Sequence, residues 1–120
     1  MAIAEMACVS RPVRIYRDQW GIPHVGAESM HDVFAGQGYA HAMDRLWQMD
    51  ASRKQMQGRW AEWVGPGGIA ADTLARRLGA AAASVRDYEA LGADARMMVD
   101  AYAAGVNAYI ASGPVPLEYR

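Results

Sequence analysis

Three histidines are the natural candidates for acid–base chemistry, because an unperturbed imidazole titrates near neutral pH. His24 follows a proline in an extended stretch, where a histidine most often satisfies a neighbouring carbonyl group. His31 lies in the first turn of a predicted helix, where we expect it to be solvated. His41 lies further along that helix beside small residues, which favours packing or hydrogen bonding. The separation of His31 and His41 does not match the one-turn spacing of paired zinc ligands, so we predict no histidine metal site.

The acidic residues are better explained as ion pairs than as catalytic acids. Asp44 and Asp50 resemble a glycosidase pair only superficially, because side chains six residues apart on a helix point to different faces. Paired charges are instead expected to tie helices or subunits together. The predicted pairs are Asp44 with Arg45, Asp50 with Arg53 and Lys54, and Glu62 with an arginine such as Arg53 or Arg59.

The hydroxyl and thiol groups form no recognisable nucleophile–base arrangement. None lies in a Gly-x-Ser-x-Gly turn, and Ser29 and Ser84 are placed to cap helices. Cys8 has no second thiol with which to form a disulfide or a metal site. The glycine-rich residues 65–68 lack both the preceding strand and the following Gly-Lys-Ser of a phosphate loop. We therefore predict no catalytic residue, no substrate-binding residue and no metal ligand in this chain.

The elements that position these side chains begin with a β-hairpin. Residues 13–18 alternate apolar and polar with β-branched members, as is typical of a half-buried strand. Gly21 supplies the turn, and residues 22–25 continue as an edge strand because Pro23 donates no ladder hydrogen bond. The tilt of the composition towards Ala, Met and Trp favours helices for the remainder. The predicted class is α+β, mostly helical, with an N-terminal hairpin.

Helices follow the hairpin. A capping box at Ser29 and Asp32 begins the first one, which Gly58 ends, with a break expected near Asp44. Its glycines, Gly36 and Gly38, lower helix propensity and are expected only where another backbone packs closely. Its predicted buried stripe consists of Met30, Val33, Phe34, Ala40, Met43 and Trp47.

Shorter helices are predicted over residues 60–64, 72–79 and 80–91, with residues 65–68 as a stop and residues 115–120 as an extended tail. A final helix is predicted over 94–111. The face predicted to be buried on that helix carries Val99, Tyr102, Ala103, Val106, Tyr109 and Ile110.

Length and composition restrict the classes of partner. A chain of 120 residues allows one domain with a modest core. Twelve basic and thirteen acidic residues give a net charge of −1 without a basic stripe, so we expect no nucleic-acid partner. Four Trp and eight Met exceed what so small a core needs and indicate a large protein partner. We expect no membrane span and no secretory signal, and we expect residues 1–11 to be a disordered leader.

Three separated blocks carry a family resemblance. The first is Arg-Asp-Gln-Trp-Gly-Ile-Pro-His-Val at 17–25. The second is Gly-Tyr-Ala-His-Ala-Met-Asp-Arg-Leu-Trp-Gln-Met-Asp at 38–50 with Gly-Arg-Trp-Ala-Glu at 58–62. The third is Ala-Tyr-Ala-Ala-Gly-Val-Asn-Ala-Tyr-Ile at 101–110. In this order they resemble the start of the small (alpha) subunit of the penicillin acylase (penicillin amidase) family, which belongs to the N-terminal-nucleophile hydrolases.

The resemblance implies that residues 12–120 are an incomplete scaffold within a larger αββα hydrolase. Members of the family are made as one precursor that cuts itself into two subunits, and the new N-terminal residue of the large (beta) subunit attacks the amide, with its own α-amino group as the base. The nucleophile, the oxyanion hole, the acyl pocket and most ligands of a structural calcium would then lie outside this chain. A periplasmic or secreted location, the large subunit as partner and a small-molecule amide as substrate are implied in the same way.

Two functional hypotheses follow. The first is the N-terminal part of the small subunit of an amide hydrolase that cleaves linear acyl amides, such as β-lactam side chains or acyl-homoserine lactones. The second is a stand-alone helical protein-interaction module without catalysis, which buries its Trp and Met side chains against an unrelated partner.

Overall fold

The computed structural model describes residues 2–4, 6–114 and 116–119. Short strands come first and helices follow, which confirms the predicted mostly helical class with an N-terminal hairpin. The elements are β1 (Ala2–Ala4), β2 (Val13–Arg17), β3 (Pro23–Gly26), α1 (Met30–Met56), α2 (Ala61–Val64), a 3₁₀ turn (Gly65–Gly68), α3 (Ile69–Leu78), α4 (Ala80–Ala90), α5 (Ala93–Ser112) and a second 3₁₀ turn (Leu117–Tyr119).

The sheet has three antiparallel strands in the order β1-β2-β3. In the predicted hairpin, Ile15 of β2 lies opposite Val25 of β3. β1 pairs with the other side of β2, and Met6 is buried. Residues 2–4, within the stretch expected to be a disordered leader, therefore form a strand. Pairing with β1 satisfies backbone groups that β2 would otherwise leave open along its edge.

Two compact units divide the chain, one formed by residues 1–46 and 92–120 and the other by residues 47–91. Their boundary lies close to Arg45, whose φ of −141° and ψ of 21° fall outside the helical region within α1. The predicted break near Asp44 is thus confirmed, one residue further on.

In the first unit, α1 buries its small residues rather than its large ones. Ala35, Ala40 and Ala42 are at most 1% exposed, whereas Met30 is 55% exposed. Met43 and Trp47 are also exposed, so the predicted stripe of large apolar residues is wrong at these positions. The burial follows the small residues because they let a second helix approach closely.

That second helix is α5. A β-carbon added to Gly38 would fall on the backbone carbonyl of Tyr102, and one added to Gly105 would fall on the carbonyl of Ala35. The two helices therefore touch backbone to backbone, which confirms the prediction for Gly38. Gly36 instead faces the side chains of Val13 and Val25.

The predicted face of α5 is wrong for the same reason. Its buried residues are Ala101, Gly105 and Tyr109, whereas Val99 and Ile110 are exposed. Of the predicted face, only Tyr109 is fully buried, and its ring meets that of Tyr39 edge-on at 5.4 Å between centroids. Because α5 packs closely against α1, its small residues at the contact are buried, and its large β-branched residues Val99 and Ile110 remain exposed.

In the second unit, the start of α3 differs from the prediction, and its end does not. Residues 65–68 form a 3₁₀ turn that leads directly into α3, so this helix begins at Ile69 and not at Asp72. Gly79, at a φ of 68°, ends α3 in the left-handed conformation and separates it from α4, as predicted.

In the first unit, the tail expected to be extended contains the 3₁₀ turn Leu117–Tyr119, while Val115 and Arg120 lie outside the described residues.

Among the described residues, no helix combines the length and apolar content that crossing a lipid bilayer requires.

We expect Gly38→Ala to lower the free energy of unfolding by about 1 to 3 kcal/mol, because the added methyl group meets rigid backbone rather than a movable side chain. Denaturant unfolding of the chain measures this change. Gly67→Ala is the matched control, since an added β-carbon there meets nothing within 4 Å. Equal stabilities of the two variants would contradict the close contact between α1 and α5.

Candidate functional site

The three sequence blocks converge in the first unit, in a cluster that we call the motif junction: Arg17, Gly38, His41, Asp44 and Tyr102. Arg17 comes from the first block, Tyr102 from the third, and the other three from the second. Arg17 bonds Asp44, and His41 bonds Tyr102. Residues far apart in the sequence therefore meet through direct contacts.

Arg17 and Asp44 form a bidentate ion pair between β2 and α1. Nη1 donates to Oδ2 at 3.1 Å and Nη2 donates to Oδ1 at 2.5 Å. The prediction that Asp44 pairs with Arg45 is therefore wrong. Neighbouring side chains on a helix point in different directions, whereas the fork of Arg17 reaches both carboxylate oxygens from the adjacent strand. The pair lies immediately before the break at Arg45.

His41 lies on α1 where α5 passes it. Its Nδ1 is 2.9 Å from the hydroxyl oxygen of Tyr102, and the two rings meet at 71°. Partial burial raises the pKa of the Tyr102 hydroxyl. The predicted packing and hydrogen-bonding role of His41 is confirmed.

His24 occupies a defined place at the hairpin. Its Nε2 lies 3.0 Å from Asp18 Oδ2, and its ring stacks on Tyr16 at 4.8 Å between centroids. The hydrogen bond from His24 lowers the pKa of the Asp18 carboxyl. His24 therefore satisfies a carboxylate and not the neighbouring carbonyl that the sequence predicted.

Asp32 is a buried carboxylate that sequence analysis placed only as a capping residue. Its side chain is 1% exposed, and Ser10 donates to it from both the backbone nitrogen (3.1 Å) and the hydroxyl (2.9 Å). The predicted cap is also present, because the Asp32 nitrogen donates to the Ser29 hydroxyl at 3.1 Å. His31, which was predicted to be solvated, has a side chain that is 41% exposed, and its Nδ1 also lies 3.0 Å from Asp32 Oδ1. The hydrogen bond from His31 holds the pKa of Asp32 well below its ordinary value, although burial opposes this shift.

The ion pairs of the second unit centre on Glu62. Arg59 donates to it at 2.7 Å, as predicted, and Lys54 donates to it at 2.7 Å. Hydrogen bonds from these two residues, Arg59 first, lower the pKa of Glu62 to about 2. The pair of Asp50 with Arg53 is confirmed at 2.7 Å. Lys54, which was predicted to pair with Asp50, donates to Glu62.

Lys54 is 8% exposed, so its charge needs compensation. Glu62 supplies an opposite charge, and the ammonium also lies 5.2 Å from the ring centroid of Trp63, within reach of a cation–π interaction. Trp63 stacks on Trp47 at 5.7 Å. Trp60 is also in contact with Trp63, so Trp63 joins two other tryptophans and the paired lysine.

Asp72 is a second buried carboxylate that sequence analysis missed. Its two oxygens accept from the backbone nitrogens of Trp60 (2.7 Å) and Ala61 (2.8 Å), at the start of α2. These nitrogens have no partner within a helix, so a carboxylate there acts as a cap. The cap comes from 11 and 12 residues away, and no local pattern could have revealed it.

Three hydroxyl groups donate to the helices that carry them. Each of these bonds runs to the carbonyl oxygen four residues back, from Thr73, Ser84 and Ser112. The predicted capping role of Ser84 is therefore replaced by this bond within its helix.

Cys8 is partly buried. Across the described ranges, no three His, Cys, Asp or Glu side chains are grouped closely enough to hold a metal ion. The polar groups gathered here position backbone and helices.

We expect Asp32→Asn to reduce stability at neutral pH by about 1 to 3 kcal/mol, because two hydrogen bonds from Ser10 and one from His31 lose a charged acceptor. Since the folded-state pKa lies below the unfolded value, the stabilisation is present above about pH 4 and is lost as the pH falls through and below that value. The free energy of unfolding, measured from pH 7 to pH 3, should therefore fall less steeply in the variant than in the unsubstituted chain. Glu28→Gln, at an exposed pair, is the control.

We expect a double-mutant cycle on Arg17→Met and Asp44→Asn to give a coupling free energy of about 0.5 to 1 kcal/mol, because the bidentate geometry offsets partial exposure. Denaturant unfolding of the four proteins measures it. The same cycle on the more exposed pair of Arg11 and Glu28 should give less than about 0.5 kcal/mol. A larger coupling at Arg11 than at Arg17 would refute this ranking.

Comparison with known proteins shows which proteins the chain resembles. The family model described as penicillin amidase matches residues 12–120. The chain is 52% identical over 112 residues to penicillin acylase 2 proenzyme of Pseudomonas sp. (strain SE83), a match that covers 92% of this chain and 14% of that protein. It is 36% identical over 102 residues to the acyl-homoserine lactone acylase QuiP of Pseudomonas aeruginosa, covering 85% of this chain and 12% of that protein.

A solved structure agrees with these matches. The thermostable penicillin G acylase from Alcaligenes faecalis superposes with a TM-score of 0.77 at 38% identity, covering 89% of this chain and 60% of that chain. The chain spans only about one seventh of the length of the curated relatives it matches. The matching residues nevertheless include all three blocks that form the motif junction, and the chain belongs to the penicillin amidase family.

Proposed function

We propose that this chain is the N-terminal part of the small subunit of an amide hydrolase and serves it as scaffold. One observation carries the proposal: a chain of this family spans about 14% of the proenzyme it resembles, and its motif residues are engaged with one another. Arg17, Asp44 and Tyr102 bond between elements, which is what a scaffold requires. The nucleophile would then lie in the remainder of the precursor.

The reaction of the whole protein would be hydrolysis of a linear amide, R–CO–NH–R′. The hydroxyl or thiol of a new N-terminal residue attacks the carbonyl carbon, its α-amino group takes the proton and passes it to the leaving amine, and water then releases the acyl group as a carboxylic acid. The relatives' names support acyl amides of two kinds as substrates, β-lactam side chains and acyl-homoserine lactones.

This chain's contribution would be positional. Catalysis by a preorganised site depends on supporting elements that do not shift. Backbone contact between α1 and α5, the fork of Arg17 on Asp44 and the buried carboxylates Asp32 and Asp72 fix their elements in each unit. These contacts support a scaffold role, since each joins segments that are distant in the sequence.

Calcium and location belong to the same proposal. If the whole enzyme holds calcium, we assign its ligands to residues outside this chain on family resemblance. A periplasmic or secreted location is proposed on family resemblance.

We expect the purified chain to hydrolyse no chromogenic amide. Co-expression with the segment of penicillin acylase 2 proenzyme that follows the matching part, supplied as a separate polypeptide, should give a complex that hydrolyses an acyl amide, because the two chains are 52% identical where they correspond. Hydrolysis of a phenylacetyl or aliphatic acyl anilide and mass measurement of any cleaved product test this.

Each polypeptide alone serves as the control for that experiment. Turnover by the isolated chain after removal of contaminants would contradict the scaffold role. A chain that never associates with the segment would favour the stand-alone interaction module.

A further inference from the structure

The turn between β2 and β3 presents a large apolar side chain on a rigid support. Trp20 is 77% exposed, more than any other large apolar residue in the part of the chain that the structure describes. Ile22, two residues further on, is also exposed. We call Gln19, Trp20, Gly21 and Ile22 the hairpin tip. An exposed tryptophan is costly in water unless another surface covers it.

Asp18 fixes the backbone of the hairpin tip. Its Oδ1 accepts from the backbone nitrogens of Trp20 (2.9 Å) and Ile22 (3.0 Å). The backbone of Asp18 also exchanges hydrogen bonds with the tip, accepting from Gly21 at 3.0 Å and donating to Ile22 at 3.2 Å. His24 holds the second carboxylate oxygen of Asp18. A loop restrained by so many bonds has already lost the conformational freedom that binding would otherwise remove.

Arg17 ties the same tip to α1. Its Nη1 donates to the carbonyl oxygen of Gly21 at 2.9 Å, and the guanidinium also bonds Asp44. The charges beside the tip are therefore engaged: Arg17 with Asp44, and Asp18 with His24. Trp20 thus stands on a surface whose nearest charges are already compensated, as in the apolar centre of a protein interface.

We infer that Trp20 is an anchor that inserts into an apolar pocket on the remainder of the precursor. This rests on the proposed function. The length of the relatives indicates which polypeptide covers the hairpin tip. The chain spans only 12 to 14% of the matched relatives, so most of the polypeptide that could cover the tip lies in the remainder of the precursor. Anchors of this kind are typically aromatic, lie on preorganised elements and dominate the binding free energy.

The test measures binding of the 120-residue chain to the segment of penicillin acylase 2 proenzyme that follows the matching part. Trp20→Ala should raise the apparent Kd at least tenfold, and Trp20→Phe should restore much of the loss. Gln19→Ala, at an exposed polar neighbour on the same tip, should change it less than threefold. Circular dichroism of each variant checks that the fold is retained.

A second pair of variants tests preorganisation. Asp18→Asn keeps an oxygen that accepts from Trp20 and Ile22, so binding should stay within about threefold. Asp18→Ala frees the tip while leaving Trp20 in place, so binding should weaken about tenfold. Equal affinities for these two variants would overturn the claim that the turn is preorganised.

Other outcomes separate this inference from the proposed function. If the unsubstituted chain does not bind the segment, the proposed function fails together with the anchor. If it binds and Trp20→Ala binds equally well, only the anchor is overturned. Loss of self-association in Trp20→Ala, measured by sedimentation without the segment, would assign the tip to a second copy of the chain. Trp20-dependent binding to phosphatidylcholine vesicles would assign it to a lipid surface, and either result overturns the inference.

Discussion

Backbone contact between α1 and α5 is the constraint on which the first unit depends. Gly38 and Gly105 each leave room for the carbonyl group of the facing helix, so that no side chain separates the two backbones. At that distance, dispersion contacts are numerous, but any added atom must displace rigid main chain. The contact also brings His41 beside Tyr102 and Tyr39 beside Tyr109. Two glycines therefore determine which aromatic and polar groups can meet.

The same constraint explains where sequence reasoning succeeded and where it failed. The capping box at Ser29 and the helix end at Gly79 have local causes, and the sequence predicted them correctly. The buried faces were wrong because a periodic pattern of large apolar residues predicts burial only when side chains fill the gap between helices. Here Val99 and Ile110 stay exposed, since α5 approaches α1 through Gly105 and the backbone of Tyr102.

The polar contacts show a second limit of sequence reasoning. Pairs within one helical turn, such as Asp50 with Arg53 and Arg59 with Glu62, follow from spacing alone. Asp32 with Ser10 and Asp72 with Trp60 span 22 and 12 residues, and in each the carboxylate accepts from backbone nitrogen. A short motif carries no signal for such a partner. The family resemblance supplied the blocks that meet, and only the structure revealed through which atoms they do so.

The exposed large apolar side chains fit the proposed association with the remainder of the precursor. In the first unit, glycines form the close contact between α1 and α5, and Trp20 is exposed. In the second unit, Leu74 and Leu78 are exposed. Covering such side chains stabilises an assembly by about 25 cal/mol per Å² of apolar surface. The contacts inside the chain thus position its elements, and the exposed residues are the surface on which a larger protein could be built.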